Sequence, residues 1–91
     1  MTVHHEPGKS RYELLVDGAL VGVADYVVRG GVLVFHHTEI ERSRRGEGLG
    51  AVLVQGALDD VRERGQTVVP TCWYVAEFLD LHPEYGDLRA A

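Results

Sequence analysis

The chain has 91 residues, 45% hydrophobic and 25% charged, with nine basic against fourteen acidic side chains and a formal charge of −5. That length suits one small domain over residues 1–91, and that composition is of a globular rather than a disordered chain. The acidic balance excludes nonspecific nucleic-acid binding as the main role, and a longest apolar run of only Ala19 to Ala24 excludes a membrane-spanning helix.

The first ten residues, MTVHHEPGKS, have no apolar core. They do not read as a secretory signal and are expected to be flexible, with His4 and His5 as surface side chains. Tyr12 to Val16 reads as a strand, and Asp17-Gly18 is a hairpin turn signal. The return strand, Ala19 to about Val28, is valine-rich. Arg29-Gly30-Gly31 turns the chain into a third strand, Val32 to about Ile40. These segments describe an antiparallel meander.

The period then changes. Leu49, Val52, Leu53, Ala57, Leu58 and Val61 fall on one helical face, and Gly65 follows as a stop. TVVPTC is a short strand in which Pro70 marks an edge or a splaying point. WYVAEFLDL, from Trp73, forms a second amphipathic stretch ending before Pro83, and the tail packs only in part. The order β-β-β-α-β-α gives an α/β (α+β) domain, a meander followed by a right-handed β-α-β crossover and a final helix. The strands on either side of the crossover should be parallel neighbours.

Between the third strand and the first helix lies RSRRGEGLGA, residues 42–51. Gly46-Glu47-Gly48-Leu49-Gly50-Ala51 fits a dinucleotide fingerprint, G-x-G-x-x-A. A meander precedes it, however, and no second nucleotide-binding half follows, so that match is rejected. A phosphate loop ending in Gly-Lys-Ser/Thr is also excluded. What remains is a glycine-rich turn into a helix N-terminus, which offers bare N–H groups and the positive end of a dipole. Arg42, Arg44 and Arg45 add charge beside it. Such a turn suits a pyrophosphate; the alternative is that the glycines only let the helix pack on the sheet.

Arg45-Gly46-Glu47-Gly48-Leu49-Gly50 resembles the R-x-x-G-x-G acyl-CoA loop of the GNAT N-acetyltransferase superfamily. With HTEI before it and VVPTC, YVA and HPEY after it, the chain resembles the small, stand-alone GNAT-like family over residues 12 to 88. The resemblance implies a minimal GNAT fold that binds acetyl-CoA as cosubstrate, without a metal, and moves its acetyl group to an amine acceptor. It implies that the backbone of Arg45, Gly46, Glu47, Gly48, Leu49 and Gly50 holds the pyrophosphate. The pantetheine arm would lie along Thr38, Glu39, Ile40 and Glu41.

Acetyl transfer needs a nucleophile, a polarised thioester carbonyl and a proton for the departing thiolate. Cys72 precedes a helix start, where a thiolate is favoured. The resembling family carries a cysteine there, so Cys72 is either a covalent acetyl acceptor or a small buried hydrophobe. As the lone cysteine it rules out an internal disulfide framework, argues against a structural zinc and fits a reducing, cytoplasmic setting. His36 and His37 are adjacent on a strand and point to opposite faces, so at most one meets the cleft. His37 shares a face with Glu39, which is a candidate base. Tyr74 is a candidate acid, as tyrosines near this place are in many GNAT enzymes. Trp73 and His82-Pro83-Glu84-Tyr85 read as packing residues. A binding module without catalysis is the alternative function, and a purely structural domain is a third. No nucleic-acid or membrane partner is expected, and the chain is expected to be a monomer or a weak homodimer.

Overall fold

Alternating apolar side chains build one five-stranded sheet in the computed structural model, which describes residues 1–90. The strands are β1 (Thr2–Glu6), β2 (Arg11–Val16), β3 (Ala19–Arg29), β4 (Val32–Ile40) and β5 (Thr67–Pro70), side by side in chain order. The first four pair antiparallel; β5 lies parallel to β4, with Val32 opposite Thr67 and Phe35 opposite Pro70. Helix α1 (Leu49–Glu63) makes the crossover, and α2 (Trp73–Leu81) follows β5. The α/β class, the meander and the parallel crossover pair are as the sequence predicts.

The N-terminal segment requires a correction. Residues 1–10, expected to be flexible, carry β1 and a short 3-10 turn. Val3 seats its methyl groups where a side chain at Gly56 of α1 would stand. His5, expected on the surface, lies parallel to the Tyr12 ring with centroids 4.2 Å apart, and its Nε2 is 2.6 Å from the Tyr26 hydroxyl. No strong alternation marks β1, because one of its two inward side chains is a histidine. The strand forms through tertiary contacts that local propensity does not report.

Both helices pack on the face shared by Tyr12, Leu14, Ala24, Tyr26, Leu33 and Phe35. Leu53, Val54, Leu58 and Val61 of α1 and Val75, Phe78 and Leu79 of α2 complete this core. Each such side chain contributes roughly 1.5–3 kcal/mol of burial. The tail ends in a 3-10 segment, Pro83–Leu88, that buries Tyr85 and Leu88. The Tyr85 hydroxyl donates to Asp59 at 2.6 Å, and His82 stacks on Phe78 with its Nδ1 2.8 Å from the Phe78 carbonyl. HPEY is thus a helix stop with a packed aromatic.

Two local features open the sheet. On β4 the register slips, so that Tyr26 faces Phe35 but Asp25 faces His37, leaving His36 as the extra residue of a β-bulge. The bulge exchanges the faces. Leu33 and Phe35 point toward the helices before it; Thr38 and Ile40 do so after it, and His37 and Glu39 turn to the opposite face. Pairing with β5 stops at Pro70, which has no N–H to continue the ladder. There the Phe35 carbonyl accepts from Thr71 N at 2.9 Å, Cys72 N at 3.0 Å and the Thr71 hydroxyl at 3.1 Å. Those three bonds anchor the point where β4 and β5 separate.

Candidate functional site

Beyond that point β4 continues alone, and the space beside it is a groove of about 530 Å³. Thr38, Glu39 and Ile40 form one wall; Arg44, Arg45, Gly46 and Gly48 form the end; Leu49 and Gly50 of α1 with Trp73 and Tyr74 of α2 form the rest. The groove joins an unpaired strand edge to a helix start. A polyamide chain can add to the first as a strand would, and an anion can sit at the second.

The helix start is built for that. Gly46 and Gly48 hold φ of 88° and 76°, which only glycine adopts without strain. Gly48 is the N-cap and supplies no side chain to cap α1. Among the described residues the N–H groups of 46–51 find no backbone carbonyl; the first bond back is from Val52 N to the Gly48 carbonyl at 3.4 Å. These bare donors face the groove end beside the positive pole of a fifteen-residue helix.

The arginines divide the work. Arg45 donates from Nε to the Ile40 carbonyl at 3.1 Å, fastening the loop to the end of β4. Arg44 holds Glu47 at 3.1 and 3.3 Å. Two expectations change here. The Arg45 N–H is already bonded to the Arg42 carbonyl at 3.3 Å, so the open donors begin at Gly46. Gly50 serves packing: an added Cβ would stand 2.7 Å from Cζ of Tyr74.

Of the other candidates, Glu39 and Tyr74 line the groove, whereas Glu47, His37 and Cys72 do not. Glu39 and His37 are exposed and lie 3.1 Å apart, sharing a face as their spacing predicts. Cys72 is half-buried at the N-cap of α2, where its Sγ lies 3.6 Å from the Thr38 hydroxyl. Burial, with a smaller push from Glu77, raises the Tyr74 phenol above its ordinary value, which keeps its proton in place. Among the described residues no group of His, Cys, Asp and Glu side chains is placed to hold a metal ion, and no helix is long and apolar enough to cross a membrane.

Trp73 is the residue that sequence reasoning missed. It was expected to pack, yet it is 72% exposed on the groove rim, edge-on to Tyr74 at 5.5 Å. The signal was present. Trp73, Glu77 and Leu81 recur every fourth residue, opposite the buried Val75, Phe78 and Leu79, and so mark the outer stripe of α2.

Comparisons with known proteins agree with this architecture. A family model described as GCN5-related N-acetyl-transferase matches residues 11–88. Among solved structures, the ribosomal-protein-S18-alanine N-acetyltransferase from Escherichia coli is similar with a TM-score of 0.65 and 17% identity, over 79% of this chain and 50% of that one. Ribosomal-protein-alanine N-acetyltransferase from Brucella melitensis biovar Abortus 2308 is similar with a TM-score of 0.57 and 24% identity, over 89% of this chain and 61% of that one. The chain therefore spans about half to three-fifths of the length of these neighbours, and at such identity the likeness is one of fold. No match was found among curated proteins.

Proposed function

The chain belongs to the GCN5-related N-acetyltransferase family, and on that premise we propose that it binds acetyl-CoA in the groove and moves the acetyl group directly to an amine. One observation carries the reading. The bare N–H groups of 46–51, flanked by Arg44 and Arg45, lie in one groove with the unpaired edge of β4. The donors fit a pyrophosphate and the edge fits the amides of a pantetheine arm. Bound there, acetyl-CoA supplies an activated thioester.

The chain's own groups supply positioning and proton transfer. Backbone N–H groups at the β4 bulge are placed to donate to the developing oxyanion. Glu39 takes a proton from the incoming ammonium, directly or through water, exposing the nitrogen lone pair. The nitrogen then bonds to the carbonyl carbon as the C–S bond breaks, and the sulfur leaves with the bonding pair. Tyr74 protonates that sulfur and is reprotonated by the nitrogen's second proton through solvent. The sum converts ammonium and thioester into amide, thiol and one released proton.

Direct attack is favoured over an acetyl-cysteine route because the Cys72 thiol lies outside the groove lining. A binding-only module is supported by the same geometry: with His37 and Cys72 outside, only Glu39 and Tyr74 remain to move protons. Incubation with acetyl-CoA and a panel of amines decides between them, with thiol detection and intact mass as readouts. Amine-dependent CoA release from an unmodified protein is the expected result. An adduct on Cys72 that amines discharge would replace direct attack with the covalent route, and binding without release would leave the module.

A further inference from the structure

Glu39 borders two cavities. Besides the groove described above, a shallower one of about 230 Å³ runs along β3, lined by Leu20, Val21, Gly22, Val23, Glu39 and Glu41. Glu39 is opposite Val23 across the β3–β4 ladder, so its side chain is shared between this channel and the donor groove. Leu20 stands 49% exposed at its mouth. The backbone here is closed: Glu41 N donates to the Val21 carbonyl at 2.7 Å, and Gly22 to Asp25 pair along β4. A peptide terminus, which brings its own N–H and C=O groups, meets little to pair with.

What this channel offers is apolar side chain and two carboxylates. Glu39 and Glu41 are two residues apart on one extended stretch, hence on one face and about 7 Å from each other. Their polar neighbours are His37 at 3.1 Å from Glu39 and the Ser43 hydroxyl, which donates to Glu41 at 3.2 Å. The lining contains no cationic side chain; Arg44 and Arg45 lie in the donor groove instead.

We infer that this second groove is the acceptor site and that its acceptor is an aliphatic diamine. The reacting nitrogen stands at Glu39, the methylene stem lies over Leu20 and Val23, and the second ammonium is held by Glu41. A stem of about four carbons matches the carboxylate spacing. The inference rests on the acetyl-transfer reading for its chemistry, while its binding claim stands alone.

The binding claim is tested by titrating 1,4-diaminobutane and butylamine into the protein and following backbone amide shifts by NMR, with a parallel CoA-release assay. Shifts should concentrate at Leu20, Val23, Glu39 and Glu41, with the diamine about fivefold tighter than the monoamine, the size of one exposed ion pair. Glu41→Gln should erase that preference, and Leu20→Lys should weaken the diamine by a similar factor; both sites are exposed, and circular dichroism checks the fold. Equal affinity for the two amines, or shifts elsewhere, would overturn the inference. So would faster acetylation of a lysine-containing or alanine-terminated peptide than of the diamine. Diamine binding at this groove with no CoA release for any acceptor would instead count against acetyl transfer and leave the binding site standing.

Discussion

Tyr74 lays its ring across Gly50, so closely that a Cβ at Gly50 would meet the hydroxyl-bearing ring carbon at 2.7 Å. This contact locks the start of α1 to the start of α2, and those two starts form one end of the groove. Gly50→Ala should therefore destabilise the protein by about 1–3 kcal/mol through overpacking. Tyr74→Leu in the same chain should recover part of the loss, so a double-mutant cycle by chemical denaturation should show coupling above about 0.5 kcal/mol.

The Tyr74 hydroxyl also serves the reaction. Tyr74→Phe should keep the packing and lower kcat by about 10²-fold, the usual size of a general-acid contribution. Because burial holds this phenol above its ordinary value, the wild-type rate should not fall on a Tyr74 limb until the pH exceeds about 10. Steady-state rates against pH for both proteins check this.

A polar cluster far from the groove fixes β1. Tyr12 donates to Asp60 at 2.6 Å, Arg64 reaches the same carboxylate at 2.7 Å, and His5 Nδ1 lies 3.5 Å from it without a hydrogen bond. Burial, then Arg64, lowers the His5 imidazole below 6.5, against the pull of Asp60. The folded state thus prefers neutral His5. Its stabilising effect is complete above pH 6.5 and is lost as pH falls through the lowered folded value. Burial alone would raise Asp60, but the Tyr12 and Arg64 bonds hold it below its ordinary range, so its loss comes only in stronger acid. Thermal melts should therefore fall between pH 7 and 5, and His5→Phe should flatten that decline. Tyr12→Phe, which removes a donor to a charged acceptor, should cost about 1.5–3 kcal/mol at neutral pH.

Cys72 separates two routes. On direct attack, Cys72→Ala should retain CoA release within about threefold, since its Sγ contacts only the Thr38 hydroxyl at 3.6 Å. Loss of release by 10²-fold or more, with the fold intact, would point to the covalent route.

Much of this was legible before any coordinates. The turns at Asp17-Gly18 and Gly30-Gly31, the period change at Leu49 and the break at Pro70 are local signals, and each marks an observed boundary. Three features were not local. Strand β1 is stabilised by Val3 over Gly56 and His5 on Tyr12, contacts about fifty and seven residues distant in sequence. The bulge at His36 exchanges the faces of β4, so strict alternation cannot say whether Thr38 or Glu39 turns toward the helices. The glycines look alike in sequence, yet Gly46 and Gly48 are demanded by positive φ and Gly50 by a tyrosine.

The central claim is that the start of α1 holds the pyrophosphate of acetyl-CoA, and the direct test is the melting temperature with and without that ligand. The account predicts a rise of about 4–8 °C for each kcal/mol of linkage in a chain of this size, and loss of most of it in Arg45→Glu. An unchanged melting temperature at millimolar acetyl-CoA would contradict it.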